Sequence, residues 1–326
     1  MNALTLVTGA TGFIGSYMVR ALLRAEVPTR VLVRRPQRLD GELLRSVDLV
    51  KGDVRDAAAI ARATQGVHTV LHLAACARAW SRDPKEFDDV NVRAVEQLLE
   101  AARRAAVKRL VHVSTVLTLP PYRPAPLPDS LQQPTPYEET KLRADRIVAS
   151  YAANGGDAVI VHPTRVYGPG PLNDANGVTR VVALYLAGRF RVRLADHDVL
   201  SNYVHVADVA DGILRAARHG RSGAHYVLGG AENVSMRGFL DLIGTISGRR
   251  HRTAALPPAA ALAVARSALL WARLGGNTSI TPGWVRVFLE DRRVEIGASR
   301  RDLGYEPRPL HNGLSETISW LQTRRR

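Results

Sequence analysis

Short runs of apolar and β-branched residues alternate along the first half of the chain with longer stretches whose apolar residues recur every three or four positions. Such runs are typical of buried strands, and the longer period is typical of helices that cover a sheet. The predicted strands are Leu4–Thr8, Arg30–Val33, Asp48–Lys51, Thr69–Leu73, Arg109–Ser114 and Ala158–His162. Alternation of this kind favours right-handed crossovers and a doubly wound parallel sheet covered on both faces.

The alternation becomes irregular after about residue 165. Two short strand-like pieces, Asn202–Val206 and His225–Leu228, are expected to return to the first domain, and the remainder to form a smaller, mostly helical lobe. The predicted domains are therefore a dinucleotide-binding α/β domain over residues 1–165, rejoined by a segment of about 202–230, and a substrate-binding lobe over residues 166–201 and 231–326.

The composition, 46% apolar over 326 residues, is that of an ordinary globular protein. We expect no signal peptide, because no basic stretch precedes an apolar run at the N-terminus, and no membrane span. The most apolar run, Leu256–Leu274, is interrupted by Arg266 and Arg273 and is predicted to be a packed helix. The lone cysteine, Cys76, excludes an intrachain disulfide, so we expect a cytoplasmic setting and a packing role for the thiol.

The formal net charge of +15 raises the question of a nucleic-acid partner. The chain holds 41 arginines and four lysines, but they are scattered and form no stripe interleaved with aromatic residues. We therefore expect neither a nucleic-acid nor a membrane partner, while an anionic cofactor would still be attracted. The ten histidines show no paired ligand spacing, so we predict no metal site.

A glycine-rich segment, TLVTGATGFIGSYMV, follows the first predicted strand. Gly9, Gly12 and Gly15 would allow a tight turn and a close approach of the backbone to a pyrophosphate at the N-terminus of a helix that starts near residue 12. The glycines have the spacing G-x-x-G-x-x-G, which a purely structural turn could also show. The position of the motif in the first βαβ unit favours dinucleotide binding. The intervening residues predicted to contact the cofactor are Thr11, Phe13 and Ile14.

The end of the second predicted strand, VLVRRPQR, bears on the choice of dinucleotide. An acidic residue there would bind the ribose hydroxyls of NAD, but the sequence places Arg34 and Arg35 there and has no carboxylate until Asp40. Guanidinium groups suit a 2′-phosphate. We therefore predict NADP(H) as the cofactor.

Tyr137, Lys141 and Asp145 recur every four residues in a predicted helix entered through Pro136, so Tyr137 and Lys141 share one face. The reference pKa of a tyrosine hydroxyl is about 10, which is high for proton exchange at neutral pH. A neighbouring ammonium is expected to lower that pKa, and a shift of about three units corresponds to roughly 4 kcal/mol. A tyrosine and a lysine four residues apart are, in isolation, more often an exposed polar pair on a helix. The prediction of a catalytic pair therefore depends on the other motifs of the chain.

Ten segments stand in the order typical of one enzyme family. They are TGATGFIG, KGDVRD, VLHLAA, VNVRAVEQLLEAA, VHVSTV, PYEETK, HPTRVYGPG, NYVHVADVADGI, YVLGG and DLGYEPRP. Together they resemble an extended short-chain dehydrogenase/reductase of the NAD-dependent epimerase/dehydratase superfamily over nearly the whole chain. The resemblance implies a Rossmann fold with a small C-terminal substrate lobe, and a catalytic trio of Ser or Thr, Tyr and Lys.

The resemblance places the catalytic hydroxyl on Thr115, beside Ser114, and gives Tyr137 and Lys141 both catalytic and cofactor-binding roles. Serine is commoner than threonine at the first position. The resemblance implies further cofactor contacts. Asp53 and Val54 would lie near the adenine, and Leu73, Ala74 and Ala75 near the ribose and pyrophosphate. Pro163, Thr164 and Val166 would lie near the nicotinamide.

Within the superfamily, the VLVRR strand end, the CARAW segment and the short loop after YGPG resemble the dihydroflavonol-reductase-like and hopanoid-associated branches. Nucleotide-sugar enzymes usually carry an acidic strand end, and an arginine where this chain has Ser201, Asn202 and Tyr203. The resemblance therefore implies a ketone substrate more than a nucleotide sugar.

The leading prediction is an NADPH-dependent ketoreductase that reduces a carbonyl of a small or carrier-bound metabolite, with Tyr137 as proton donor. A nucleotide-sugar epimerase or 4-ketoreductase using NAD(P) is the alternative. A non-catalytic dinucleotide-binding sensor or scaffold is a second alternative, which the intact trio disfavours. A homodimer through helices near Phe87–Ala106 and Pro136–Asn154 is implied by the resemblance alone.

Overall fold

The computed structural model describes residues 3–194 and 199–324, so residues 195–198 of the predicted substrate lobe lie outside the described part. The strands are β1 (Thr5–Thr8), β2 (Thr29–Val33), β3 (Asp48–Lys51), β4 (Thr69–His72), β5 (Arg109–Val113), β6 (Ala158–Pro163), β7 (Arg165–Tyr167), β8 (Val192–Leu194), β9 (Ser201–His205), β10 (His225–Leu228), β11 (Asn233–Val234) and β12 (Ala254–Leu256).

Helices follow most of these strands. They are α1 (Phe13–Arg24), α2 (Gly41–Arg45), α3 (Ala57–Thr64), α4 (Lys85–Asp88), α5 (Ala94–Arg104), α6 (Pro136–Ala153), α7 (Gly177–Leu186), α8 (Val206–His219), α9 (Met236–Ser247), α10 (Pro258–Arg273), α11 (Pro282–Leu289), α12 (Gly297–Leu303) and α13 (Leu310–Thr323). A π-helical turn over Asp89–Arg93 joins α4 to α5.

Within the described residues, seven strands form the central sheet in the order β10-β6-β5-β4-β1-β2-β3, and every pair is parallel. The strands predicted from the first half of the chain are all present, with bounds within one residue of the prediction. The order reverses between β1 and β4, and ligands of such sheets bind at that point, outside the carboxyl ends of the strands. The predicted α/β fold of the doubly wound, Rossmann type is confirmed.

The two strand-like pieces beyond residue 165 have different neighbours. β10 pairs with β6 at the edge of the central sheet. β9 instead pairs with β7 in parallel and with β11 antiparallel, in a separate small sheet, since β10 takes the place beside β6. The predicted division into two domains remains a proposal.

The faces of the central sheet are covered by helices that bury apolar side chains. On one face α1 packs against α8, and Met18, Leu22 and Ile213 are almost completely buried there. On the other face α3, α5 and α6 cover a second cluster that includes Leu110 and Ile160. Each such side chain contributes about 1.5–3 kcal/mol by burial, so the two layers hold the carboxyl edge of the sheet in place.

The C-terminal part of the chain is built mainly from helices. A third apolar cluster joins α7, α9 and α13. The run predicted to be a packed helix forms α10, which buries Ala261 and Ala265 on one face and leaves Trp271 exposed on the other. Across the part of the chain that the structure describes, none of the helices is both long and apolar enough to span a bilayer.

Candidate active site

The loop after β1 requires glycine for steric reasons. Gly9 has a φ of +73°, and a Cβ there would lie 2.7 Å from the backbone nitrogen of Ala74. A Cβ on Gly15 would lie 2.1 Å from the carbonyl oxygen of Gly9. The N–H of Gly12 donates to the same carbonyl at 2.9 Å. Glycine therefore lets β1, α1 and the loop after β4 approach each other closely at the switch point of the sheet.

The N-terminus of α1 fits an anionic ligand. Gly12 is the N-cap, no side chain caps the helix, and its first turn holds no acidic residue. The N–H groups of a first helical turn have no partner within the helix, and they lie at the positive end of its dipole. These features suit a pyrophosphate. Beside this end of the helix, Thr11 is exposed and Ile14 is half-buried. The side chain of Phe13 is buried, so only the backbone of Phe13 is available to a ligand.

The predicted adenine end brings Arg34 and Asp53 together at 3.6 Å. Asp53 also forms an ion pair with Arg55 at 2.8 Å. Burial raises the pKa of the Asp53 carboxyl, but its hydrogen bonds with Arg55 outweigh this and hold the pKa below its ordinary value. Arg34, with 59% of its side chain exposed, and the exposed Arg35 follow β2 directly, so both guanidinium groups are accessible to a ligand.

The other residues predicted to bind the cofactor follow the neighbouring strands of the sheet. The N–H of Leu73 donates to the carbonyl of Thr8 at 3.2 Å, which ties the loop after β4 to the end of β1. Thr164, just after β6, donates from its hydroxyl to Asn202 at 2.9 Å. The remaining members of the set are Val54, Ala74, Ala75, Pro163 and Val166, of which Ala75 is exposed and Pro163 buried.

Helix α6 begins where the sequence predicts. Thr135 and Glu138 form a capping box, and Pro136 occupies the first turn, where its missing N–H costs nothing. This start places Tyr137 in the first turn, partly accessible to solvent, and Lys141 one turn later with 1% of the residue exposed. Tyr137 and Lys141 thus lie on consecutive turns of α6, the first partly exposed and the second buried.

The hydroxyl of Thr115 lies near the phenol of Tyr137 and acts to lower its pKa. Thr115 lies after β5 and caps the turn Val116–Thr118 by accepting from the N–H of Leu117 at 3.3 Å. Burial raises the pKa of the Tyr137 phenol to about 12, although the neighbouring Thr115 hydroxyl favours the phenolate. The predicted lowering of this pKa is therefore wrong for this arrangement: the phenol stays protonated because desolvation outweighs the favourable contact.

The Lys141 ammonium is directed to β5. It donates to Nε2 of His112 at 3.0 Å and to the carbonyl of Val113 at 2.9 Å. Burial lowers the pKa of Lys141 to about 8, and the negative charge of Asp145 opposes this shift. The ammonium is thus held by hydrogen bonds to β5, and desolvation, not its charge, sets the direction of the pKa shift of Tyr137.

Histidines near the carboxyl ends of β4, β5 and β6, and one at the start of β10, were not predicted as site residues. His72 and His112 are paired in the register of β4 and β5, and their rings stack at 5.5 Å. His162 on β6 stacks on His225 of β10 at 5.2 Å. A histidine near the end of successive strands was the available signal in the sequence. Among the described residues, no three His, Cys, Asp or Glu side chains are grouped as metal ligands.

Asn91, in the π-helical turn, was also missed. Its side chain accepts from the N–H of Cys76 at 2.8 Å and donates to the carbonyl of Cys76 and to the hydroxyl of Thr140. It therefore ties the loop after β4 to α6, next to Lys141. The Cys76 thiol is buried and its pKa is raised to about 11 by burial, which suits a packing role.

A buried ionic cluster connects the start of α6 to the C-terminal part of the chain. Arg286 donates to Glu138 at 2.5 Å and to Glu290, and Arg292 donates to Glu290 at 2.6 Å. Arg292 also donates to the carbonyl groups of Val116 and Leu119, in the turn after Thr115. The cluster therefore fixes the relative positions of the two segments that carry Tyr137 and Thr115.

The chain shows clear similarity to known proteins. A family model described as the NAD dependent epimerase/dehydratase family matches residues 5–229. Sterol demethylase protein B of Methylococcus capsulatus is 29% identical, over 98% of this chain and 98% of that protein. The 4-hydroxy-2-methyl-3-oxo-4-farnesyl-3,4-dihydroquinoline-1-oxide ketoreductase of Stigmatella aurantiaca is 29% identical, over 94% and 93%. The structure of MoeE5 in complex with UDP-glucose and NAD is 27% identical, with a TM-score of 0.76 and 99% of both chains covered.

Proposed function

Because this chain belongs to the NAD dependent epimerase/dehydratase family, we propose that it is an NADPH-dependent ketoreductase, which reduces a carbonyl of a small or carrier-bound metabolite to an alcohol. The observation that carries this proposal is that the Thr115 hydroxyl lies near the Tyr137 phenol and favours its ionised form. Two O–H groups that meet at the carboxyl edge of the sheet can both donate to one carbonyl oxygen. Membership in the family supports a nicotinamide dinucleotide as the cofactor.

The chain's own groups provide the acid chemistry of a reduction. The bound dinucleotide supplies the hydride. Tyr137 holds a proton on its phenol at neutral pH, because burial raises its pKa to about 12, and donates that proton to the alkoxide oxygen as it forms. Thr115 donates a second hydrogen bond to the same oxygen. Donors placed where negative charge develops supply most of the acceleration, because they are already oriented when the oxyanion forms.

The proposed preference for NADPH is supported by the residues at the end of β2. Arg34 and Arg35 are exposed there, and no carboxylate of β2 is available to the ribose hydroxyls of NAD. Arg34 pairs with Asp53 at 3.6 Å, more loosely than Arg55 does at 2.8 Å, and its exposed guanidinium can turn toward a 2′-phosphate.

A nucleotide-sugar epimerase or 4-ketoreductase is the second candidate. The similarity to MoeE5, whose structure holds UDP-glucose and NAD, favours it. Such an enzyme would retain NAD after purification, and nucleoside diphosphates would raise its melting temperature. The third candidate, a sensor or scaffold without catalysis, is disfavoured by the presence of Thr115, Tyr137 and Lys141 together.

The remaining proposals concern partners and setting. The proposed partner is a small-molecule carbonyl compound, free or bound to a carrier. A homodimer through α5 and α6 is proposed from the resemblance. The presence of a single, buried cysteine supports a reducing setting such as the cytoplasm.

A cofactor-and-substrate screen tests the proposed function. Purified protein is mixed with NADPH or NADH and with simple ketones, ketones linked as thioesters, and keto-sugar nucleotides, and the loss of absorbance of the reduced cofactor is followed. The proposal predicts ketone-dependent oxidation of NADPH with a lower KM than for NADH. Turnover with keto-sugar nucleotides alone would support the second candidate. A clear preference for NADH would contradict the assignment of NADPH.

A further inference from the structure

Helix α10 carries a row of large apolar side chains that are exposed to solvent. Val264, Leu270 and Trp271 are 54%, 59% and 65% exposed, and Leu274, at the C-terminal end of the helix, is 77% exposed. Residues that are three, four or seven positions apart lie on the same side of a helix, so these four form one stripe. We call it the α10 stripe. A contiguous exposed apolar surface of this kind indicates a binding surface.

The opposite side of α10 is already covered by protein. Leu262 and Ala265 are buried there, in one apolar cluster with Val285 and Leu289 of α11. The homodimer proposed above is formed by α5 and α6 and not by α10. The packing of the helix on the rest of the described chain therefore leaves the α10 stripe without a covering partner.

The charges around the α10 stripe are positive. Arg266 and Arg273 are exposed, and because they are seven residues apart they lie along one side of the stripe. No Asp or Glu occurs in the sequence between Asp241 and Glu290, the segment that contains α10. Three more exposed arginines of this segment precede the helix, namely Arg249, Arg250 and Arg252. An apolar stripe flanked by unmatched arginines is complementary to an anionic surface with an apolar interior.

Helix α10 also lies close to the candidate active site, at two points. At its C-terminal end, Arg82 of the loop after β4 donates to the carbonyl of Gly275. On its buried side it packs on α11, which carries Arg286, the ion-pair partner of Glu138 beside Tyr137. A surface bound by α10 would therefore lie near the segment that carries the proposed proton donor.

A lipid surface fits the α10 stripe better than a second copy of the chain. Helices that lie in the headgroup region bury leucine, valine and tryptophan side chains and place arginines beside anionic lipid phosphates. Trp271 suits this position, because tryptophan is enriched at the boundary between hydrocarbon and water. Contact between two copies through the stripe would instead bring together Arg266 and Arg273 of both, with no carboxylate of the same segment to pair with them.

We propose that the α10 stripe docks on the surface of a bilayer that contains anionic lipids. The four apolar side chains enter the boundary between headgroups and acyl chains, and Arg266 and Arg273 bind lipid phosphate groups. The helix lies along the surface and does not cross the bilayer. The proposal replaces the expectation of no membrane partner, which rested on the scatter of arginines along the sequence, and it does not depend on the proposed function.

Co-sedimentation with vesicles tests the docking directly. The full chain is mixed with vesicles of phosphatidylcholine, or of phosphatidylcholine and phosphatidylglycerol in equal amounts, and the bound fraction gives a partition coefficient. Wild type should bind the mixed vesicles at least about tenfold more tightly than phosphatidylcholine alone, since each arginine near an anionic surface adds about fivefold. Salt should weaken this preference. Absence of binding to the mixed vesicles would overturn the proposal.

Substitutions in the stripe test its apolar part. Leu270→Ser combined with Trp271→Ser should lower the partition coefficient at least about tenfold, because less apolar surface enters the bilayer. Leu49→Ser, which changes an exposed leucine of β3 at the far edge of the central sheet, is the matched control and should bind as wild type does. All three residues are exposed, so the melting temperatures should agree. An equal loss of binding in Leu49→Ser would overturn the proposal.

The role of the flanking arginines needs a control of equal net charge, because the chain carries a formal charge of +15. Arg266→Gln combined with Arg273→Gln should lower binding to the mixed vesicles at least about tenfold and leave binding to phosphatidylcholine nearly unchanged. Arg45→Gln combined with Arg62→Gln removes two exposed arginines of α2 and α3 and should have little effect. Equal losses in the two double variants would mean general attraction of a basic protein and would overturn the proposed site.

Tryptophan fluorescence shows whether the stripe itself enters the bilayer. The chain has four tryptophans, and mixed vesicles should move the emission of wild type to shorter wavelengths as Trp271 leaves water. Trp271→Phe keeps an aromatic ring, so it should still bind the vesicles but lose most of this shift. A shift that persists in Trp271→Phe would place another part of the chain in the bilayer and contradict the proposal.

Sedimentation velocity without lipid separates docking from self-association. If wild type bound no vesicles but formed a dimer that Leu270→Ser with Trp271→Ser abolished, the stripe would belong to a contact between two copies, and the proposal would be wrong. These measurements follow binding and not turnover. Failure of the wild type to reduce any ketone would therefore count against the proposed function alone.

Discussion

The ammonium of Lys141 donates a hydrogen bond to Nε2 of His112 at 3.0 Å, so the lysine that follows Tyr137 by one helical turn is held by strand β5. The carbonyl of Val113 and the charge of Asp145 complete its surroundings. Burial lowers the pKa of this lysine and raises that of Tyr137, so the proton of the phenol is retained and that of the ammonium is exchangeable.

The pH dependence of cofactor capture should report Lys141. Because burial lowers its pKa to about 8, its positive charge is present below that pH and is lost above it. The value of kcat/KM for NADPH, which reports groups of the free enzyme, should therefore fall above pH 8. Tyr137, with a pKa of about 12, should add no inflection between pH 6 and 10.

Asp145→Asn tests the assignment of that inflection. The charge of Asp145 raises the pKa of Lys141, so its removal should move the inflection to lower pH. Asp241→Asn, on the exposed face of α9, is the control and should leave the profile in place. A profile that Asp145→Asn does not move would show that another group titrates.

The hydroxyl of Thr115 should contribute to catalysis, because it lies near the Tyr137 phenol and can donate to the same substrate oxygen. Thr115→Val keeps the volume but removes the donor, and kcat for ketone reduction should fall about 10²-fold, as for loss of one donor to a developing oxyanion. Thr115→Ser restores the hydroxyl and should stay within about tenfold of wild type. Turnover by the valine variant at the wild-type rate would remove Thr115 from the mechanism.

The two arginines after β2 should select the cofactor. Arg34→Ala with Arg35→Ala should raise KM for NADPH at least about tenfold, since a charge-assisted hydrogen bond contributes about 1.5–3 kcal/mol, and should leave KM for NADH nearly unchanged. Arg38→Ala, an exposed arginine in the next turn, is the matched control. Equal changes for both cofactors would mean that these arginines do not contact a 2′-phosphate.

The buried ionic cluster should matter for stability. Arg286→Met leaves Glu138 and Glu290 buried without this partner, and removing one member of a buried pair costs about 3–5 kcal/mol of unfolding free energy. Urea denaturation measures this change. Arg237→Met breaks an exposed pair with Asp241 on α9 and should change stability by less than about 1 kcal/mol. Similar midpoints for the two variants would contradict a structural role of the cluster.

The parts of the fold that depend on local sequence could be predicted. Strands β1 to β6 are short runs that are recognisable as strands without knowledge of their partners in the sheet. Their bounds follow from where the runs end in the sequence. The steric need for Gly9 and Gly15, and the start of α6 at Pro136, are also local properties. The spacing of Tyr137 and Lys141 then follows from the helix itself.

The parts that depend on the lateral order of strands could not be predicted. His162 and His225 meet because β10 pairs with β6, although 63 residues separate them in the sequence. Glu138 and Arg286 are 148 residues apart. The sign of the pKa shift of Tyr137 was missed for the same reason, since burial is a property of the assembled cleft and not of the helix.

Replacement of Tyr137 by phenylalanine tests the central claim most directly. The variant keeps the ring and loses the proton donor, so ketone-dependent NADPH oxidation should fall at least about 10³-fold, while the Kd for NADPH, from quenching of protein fluorescence, should stay within about twofold. Turnover by Tyr137→Phe close to the wild-type rate would contradict the account, because another group would then have to protonate the alkoxide.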